Sequence, residues 1–328
     1  MRRPGLAAVA LGVAAFVAGT SGCAATAAAG APQLTQQLPT PATPAAVALT
    51  PDALAPHVVI RRTPPPPPTL PDGTRVLLPG HRLVAFYGAA GAPALGVLGT
   101  GSPDSVWPRL AGQARAYRTP TGPRVLPAYE LIAFVATSGP GDHGTYSHRV
   151  PDATIAHYAA AARRHHALLL LDIQPGRGDF LTDAMTLSHW LRRPDVALAL
   201  DPEWKLYGNQ VPLQQVGHTT AWAVNRVSRW LNTLTAAGRL PQKLLLIHQF
   251  TKDMIRQRWL VQARLHLASV FNMDGFGSQA AKLSSYRGVA EHSQFPLGVK
   301  LFYDFDVNRF TAKQVLALHP RPAVVEYQ

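Results

Sequence analysis

From residue 82 onward the chain alternates between short apolar runs and longer stretches of mixed character. The runs are RLVAFYG (82–88), ELIAFVAT (130–137), ALLLLDIQ (167–174), VALALDPE (196–203), KLLLIHQF (243–250), ASVFNMDGF (268–276), LGVKLFYDFD (297–306) and PAVVEYQ (322–328). A strand with one wet face alternates apolar and polar residues. These runs are nearly continuous in hydrophobicity, as in parallel sheets covered on both faces.

The stretches between them carry helical signals. Ser102 is placed to cap a helix with Pro103 in its first turn, and Asp179 to cap another. Segments 152–166, 179–193, 218–239, 251–265, 278–292 and 311–320 fill the remaining gaps. In 218–239, Trp222, Val227 and Leu231 stand at helical spacing, and Gly238 lies near the end. Eight strands alternating with helices predict a (β/α)8 TIM barrel, with the eighth strand reached at 322–328 and no final helix after it. Segment 69–78, TLPDGTRVLL, is expected to cover the barrel wall or close its base. An open doubly wound sheet is the alternative. Against it, GAAGAPALG (88–96) lacks the GxGxxG spacing of a nucleotide loop.

The first 75 residues read differently. Arg2 and Arg3 precede an apolar stretch and then TSGC, the order of a secretory signal that ends at Cys23. TSGC looks like a bacterial lipobox, with Thr20 where an aliphatic residue is usual. Cys23 is the single cysteine of the chain, so no disulfide framework exists, and a lipid attachment point is its simplest use. The twin arginines lack the flanking residues of a Tat signal, so the Sec route is expected. Residues 24–75 are rich in Ala, Pro and Thr, with Pro64 to Pro68 consecutive, and predict an extended tether. The expected organisation is therefore a lipoprotein signal over 1–23, a tether over 24–75 and a barrel over 76–328. The protein would lie outside the cell, held to the membrane by its N-terminal lipid alone; the alternative is an ordinary cleaved signal with an incidental cysteine and a secreted protein. The formal charge of +13 then fits anionic envelope polymers better than nucleic acid.

Acidic and amide side chains gather where the runs end, and TIM-barrel active sites lie at those ends. Asp172 and Gln174 close the third run, Asp201 and Glu203 the fourth, and His248 or Gln249 the fifth. Asn272 and Asp274 close the sixth, Asp304 and Asp306 the seventh, Glu326 the eighth, and Tyr87 the first. At the opposite ends the acids are Glu130 and Asp195. Any one of these residues is as readily a turn former or helix cap; the bias to one end is what points to a site. Two long loops, 138–152 and 204–217, add to it, with Tyr146, Trp204 and Tyr207 as flat faces on which a sugar ring stacks. Pro202 ends regular pairing and leaves Asp201 and Glu203 close together, where one anion raises the other's pKa.

LALDPEW, an Asp-x-Glu closing the fourth strand, resembles the glycoside hydrolase family 18 chitinases and family 25 lysozymes. The resemblance implies that Glu203 protonates the leaving oxygen and Asp201 supports it. It also implies that Asp274 stands for a further acid and Tyr303 positions substrate. The chain departs from those families at Val196 and Ala199, where the chitinase pattern has aspartates, and at Phe86 and Tyr87, where the lysozymes carry an aspartate. LLLLDIQPGRGDF also looks like a group of secreted bacterial barrel proteins, which implies the barrel and leaves its chemistry open.

The leading expectation is an envelope-tethered glycoside hydrolase acting on a polysaccharide. Glu203 is the acid, and Asp201, Asp172 and Asp274 are nucleophile, stabiliser or water activator. Tyr87, Gln174, Trp204, Tyr207, His248, Gln249, Asn272, Tyr303, Asp304, Asp306 and Glu326 bind substrate. This expectation assigns no metal and no cofactor. Its rivals are a glycan-binding barrel without turnover, and a divalent-metal hydrolase or phosphodiesterase using His248 with Asp172, Glu203, Asp274 and Asp304.

Overall fold

The computed structural model describes residues 65–328 except residue 142; Cys23 and the proposed signal lie outside the described residues. The strands, in chain order, are β1 (His81–Gly88), β2 (Arg124–Ala136), β3 (Ser147–Arg149), β4 (Leu168–Ile173), β5 (Val196–Leu200), β6 (Thr219–Thr220), β7 (Lys243–Gln249), β8 (Ile255–Arg256), β9 (Leu267–Met273), β10 (Leu297–Leu301) and β11 (Val324–Tyr327). Eight of them pair in parallel in the order β1-β2-β4-β5-β7-β9-β10-β11, and β11 returns to β1, with Leu83 against Val324. The barrel is closed, as the sequence predicts. The short β3 adds an antiparallel extension to β2, and β6 pairs with β8 outside the barrel.

Strand alternation sorts the barrel residues onto two faces. Val84, Leu169, Leu198, Leu245, Val299 and Val325 face outward and pack with the helices. The helices are α1 (Pro103–Arg115), α2 (Asp152–Arg164), α3 (Phe180–Thr186), α4 (Ser188–Leu191), α5 (Ala221–Ala237), α6 (Gln279–Ala290) and α7 (Ala312–Leu316). Ser102 caps α1, and Asp179 caps α3 by accepting from the Thr182 backbone N–H, as expected.

On the inward face, Leu83, Ala85, Leu126, Ala128, Leu168, Leu170, Leu244 and Leu246 form an apolar floor. Leu70 and Leu77 come up beneath and join it, so segment 69–78 closes the base. The folded body therefore starts before residue 76. Asp72 fastens this strap: its carboxylate accepts from His81 at 2.8 Å and Arg124 at 3.0 Å, and those bonds with Thr74 outweigh partial burial and hold its pKa well below the carboxylate range.

The structure differs from expectation in two gaps. Segment 179–193 is two helices broken at Leu187. Segment 251–265 forms no α-helix. It makes two 3-10 turns and β8, with Gln257 at φ 55° between them. Tertiary bonds decide this. Arg258 donates to the carbonyls of Val289 and Glu291, while Asn225 on α5 bonds Leu260 O and Gln262 N–H. The segment is thus laid extended across the wall.

Candidate active site

Above the apolar floor the interior changes character on every strand at once. Two residues beyond Ala85 comes Tyr87. Beyond Ala128 comes Glu130, beyond Leu170 Asp172, beyond Ala199 Asp201, and beyond Leu246 His248. Beyond Val270 comes Asn272, beyond Gly298 Lys300, and beyond Val324 Glu326. Each barrel strand thus supplies one polar group, and all are buried. Residues 298 and 300 belong to the same inward row, and Gly298 is required there: a Cβ would stand 2.1 Å from Asn272 Oδ1.

The layer is tightly wired. Tyr87 donates its hydroxyl proton to Asp172 Oδ2 at 3.1 Å, lies 3.5 Å from Asp201 Oδ2, and accepts from Gln174 Nε2 at 3.1 Å. His248 sits between carboxylates, with Nε2 2.9 Å from Glu130 Oε1 and Nδ1 3.2 Å from Asp274 Oδ2. Asn272 donates to Glu326 Oε2 at 2.6 Å. The Lys300 ammonium lies 3.7 Å from both Asp274 and Glu326 and 3.6 Å from the centroid of the Tyr87 ring.

These neighbours drive the carboxylates apart in acidity. Burial, with the charge of Asp201 second, pushes Asp172 up to about 8. Burial pushes Asp201 up to about 6, with His248 pulling it back. Glu203 is raised to about 8 by burial and by the charges of Asp201 and Asp274. Asp274 goes the other way: burial opposes its charge, but the His248 hydrogen bond and the Lys300 charge prevail and lower its pKa. For His248, burial and Lys300 oppose the cation, yet the bonds to Asp274 and Glu130 raise it to about 10. Near neutral pH, then, Glu203 and Asp172 hold protons while Asp274 is ionised.

Backbone geometry explains the position of Glu203. Asp201 still bonds across the sheet through its N–H to Ile173 O, and Pro202 then starts a 3-10 turn ending at Trp204. The Glu203 carbonyl accepts from Gly217 N–H, which folds the long loop back over the turn. Glu203 is half-buried and stands beside the fully enclosed layer.

Of the residues expected from the sequence, Tyr87, Asp172, Gln174, Asp201, Glu203, His248, Asn272, Asp274 and Glu326 come together here. Others do not. Tyr303 lies on the outer wall with Tyr327 and Phe86, ring centroids 5.7 and 6.4 Å away. Asp304 is exposed. Asp306 holds Lys282 at 2.9 Å and accepts from Phe302 and Gly277 N–H, a loop-fixing role. The apolar run 297–306 predicts strand through all three, but β10 ends at Leu301, so alternation does not direct them. Trp204 is half-buried in the turn, and Tyr207 is exposed, 4.8 Å from the His218 ring. Gln249 is buried one residue beyond His248, and its two amide atoms have no partner among the described residues.

Two members of the layer were missed. The apolar run places Glu130 at the opposite end, but β2 begins six residues before it, at Arg124, and carries Pro127 within it. Lys300 drew no notice inside an apolar run. The signal for both was period-two alternation counted from the neighbouring strands.

A surface hollow of about 320 Å³ is lined by Met185, Arg192, Trp230 and Leu234, on the helix layer.

No family model matches the chain, and no curated protein matches it. Among solved structures the chain is similar to a hyperthermophilic endo-beta-1,4-glucanase in complex with substrate. The likeness has 5% identity and a TM-score of 0.34, and it covers 62% of this chain and 77% of that one. At that distance it carries no weight, and the fold rests on the strand pairing itself.

Proposed function

We propose that the protein is a glycoside hydrolase of the cell envelope, with Glu203 as general acid. The observation that carries this reading is the split in acidity at the rim: Glu203 is raised to about 8 while nearby Asp274 is lowered. A protonated carboxyl beside an ionised one is what cleavage of a glycosidic bond requires. One group gives a proton to the leaving oxygen, and the other stabilises the developing cation or activates water. Asp201 and Asp274 supply the negative charge felt by Glu203, and Tyr87 joins Asp201 to the deeper Asp172. The substrate class is a neutral or anionic envelope polysaccharide. The chain is held to the membrane by a lipid on Cys23.

The test is release of reducing ends from a panel of cell-wall polysaccharides. Glu203→Gln is expected to lose about 10²–10⁴-fold in turnover while folding normally. Full activity in that variant removes Glu203 from the chemistry.

A glycan-binding barrel without turnover is the second reading. It is favoured by the near-complete burial of the layer, where Asp172, His248, Asn272 and Glu326 have no exposed surface. Binding without product release by the unaltered protein would select it.

A further inference from the structure

The floor of the polar layer holds more acceptors than donors. Glu130 Oε2, Glu326 Oε1, Asp172 Oδ1, Asp201 Oδ1 and Asp274 Oδ1 are all buried and have no hydrogen-bond partner among the described residues. Buried carboxylate oxygens without partners are costly and call for a proton, a water or a cation. The cationic groups within the layer are Lys300 and His248, against Glu130, Asp172, Asp201, Asp274 and Glu326.

Three of these side chains converge. Glu130, His248 and Glu326 each offer one ligand atom, and those atoms lie within 4.8 Å of one another. They come from β2, β7 and β11, well separated around the barrel, and all point to its axis. Asp172 adds a second independent pointer: its orphan Oδ1 is fully buried and lies 3.9 Å from His248 Nε2, the nitrogen that also faces Glu130. Lys300 is the competitor. It approaches Glu326 through Oε2 and leaves Oε1 free.

We propose that Glu130, His248 and Glu326 form a divalent-cation site on the barrel axis, with Asp172 Oδ1 as a further oxygen donor. One imidazole with two or three carboxylates is a mixed nitrogen–oxygen set suited to Zn²⁺, Mn²⁺ or Fe²⁺ rather than to Ca²⁺. The cation takes the place of a proton on His248, because a metal ligand must be unprotonated. This departs from the sequence expectation of no metal, and its ligand set shares only His248 and Asp172 with the rival metal site drawn from the sequence. Glu203 is not part of it, so the inference goes beyond the proposed function and does not rest on it.

The test uses the full chain purified without added metal, stripped with chelator and reloaded separately with Mn²⁺ and Zn²⁺. Elemental analysis is expected to find one equivalent per chain after reloading, with a rise in melting temperature over the stripped form. Glu326→Gln and Glu130→Gln are expected to weaken binding at least tenfold, and Glu203→Gln to leave it unchanged. A folded stripped chain that takes up no cation and gains no thermal stability overturns the proposal, as does undiminished binding in Glu326→Gln. Should either variant fail to fold, pulsed electron paramagnetic resonance on unaltered Mn²⁺-loaded protein with ¹⁵N-histidine decides: a directly bonded nitrogen supports the site, and its absence overturns it. Loss of activity in Glu203→Gln with the cation retained separates this outcome from that of the hydrolase reading.

Discussion

The lower and upper halves of the barrel interior are built on the same eight strands, one pleat apart, and are chemically opposite. Below, Leu83, Leu126, Leu168, Leu170, Leu244 and Leu246 interlock with the strap residues Leu70 and Leu77. Each such side chain contributes about 1.5–3 kcal/mol by leaving water. Above, one further inward step on each strand meets Tyr87, a carboxylate, His248, Asn272 or Lys300. Burial there works against stability unless every charge is answered. A step of two residues therefore divides the part of the molecule that holds the barrel shut from the part that carries the candidate site.

That contrast can be broken most forcefully at the rim. Glu203→Gln should abolish most turnover without lowering the melting temperature, whereas Leu246→Ala in the floor should lower the melting temperature and leave the rim groups in place. Loss of the leucine is expected to cost about 2–5 kcal/mol, measured by urea unfolding. If both variants lose stability equally, the two halves are one structural unit. Next in size is Lys300→Met. It removes the ammonium facing Asp274 and Glu326 and leaves uncompensated buried acids, with an expected loss of about 3–5 kcal/mol at pH 7 that shrinks in acid as those acids protonate.

Gly298→Ala tests the junction between the halves. Its new methyl collides with the Asn272 amide, so the Asn272–Glu326 bond must shift, for about 1–3 kcal/mol of destabilisation. The last effect is one of pH. Glu203 has its pKa raised to about 8 in the folded chain, above the usual 4.5. The folded state therefore holds the proton more tightly, and the stability linked to it is present below pH 4.5 and lost as pH rises through 8. Glu203→Gln lacks this loss, so denaturation curves of the two proteins should diverge in the variant's favour towards pH 8. Turnover of the unaltered protein should fall over the same range as the acid ionises.

Most of the barrel was readable because strands buried on both faces cannot hide: eight continuous apolar runs admit few other folds. The same counting made Asp172, Asp201, His248, Asn272 and Glu326 readable, since each lies an even number of residues above inward leucines, alanines or valines. It failed where a strand boundary was misread. The second apolar run is counted from Glu130, six residues after β2 begins at Arg124, and this puts Glu130 at the wrong end of its strand. Beyond Leu301 the pleat ends, so Tyr303, Asp304 and Asp306 could not be aimed from their numbers. The α-helix expected over 251–265 failed for another reason. Distant partners hold the segment instead: Asn225 bonds its backbone at Leu260 and Gln262, and the Arg258 side chain is tied to the Val289 and Glu291 carbonyls.

The seam between β1 and β11 has a bearing on how the chain reaches this state. Leu83 finds Val324 only after nearly all the intervening polypeptide has been laid down, and closing so wide a ring makes folding slow relative to local helix formation. Until that stave docks, Asn272 and Lys300 lack their Glu326 partner, and the cylinder stands ajar along its whole height. The strand that closes the ring is thus also the one that brings Glu326 to the polar layer, so closure and completion of that layer rest on the same four residues.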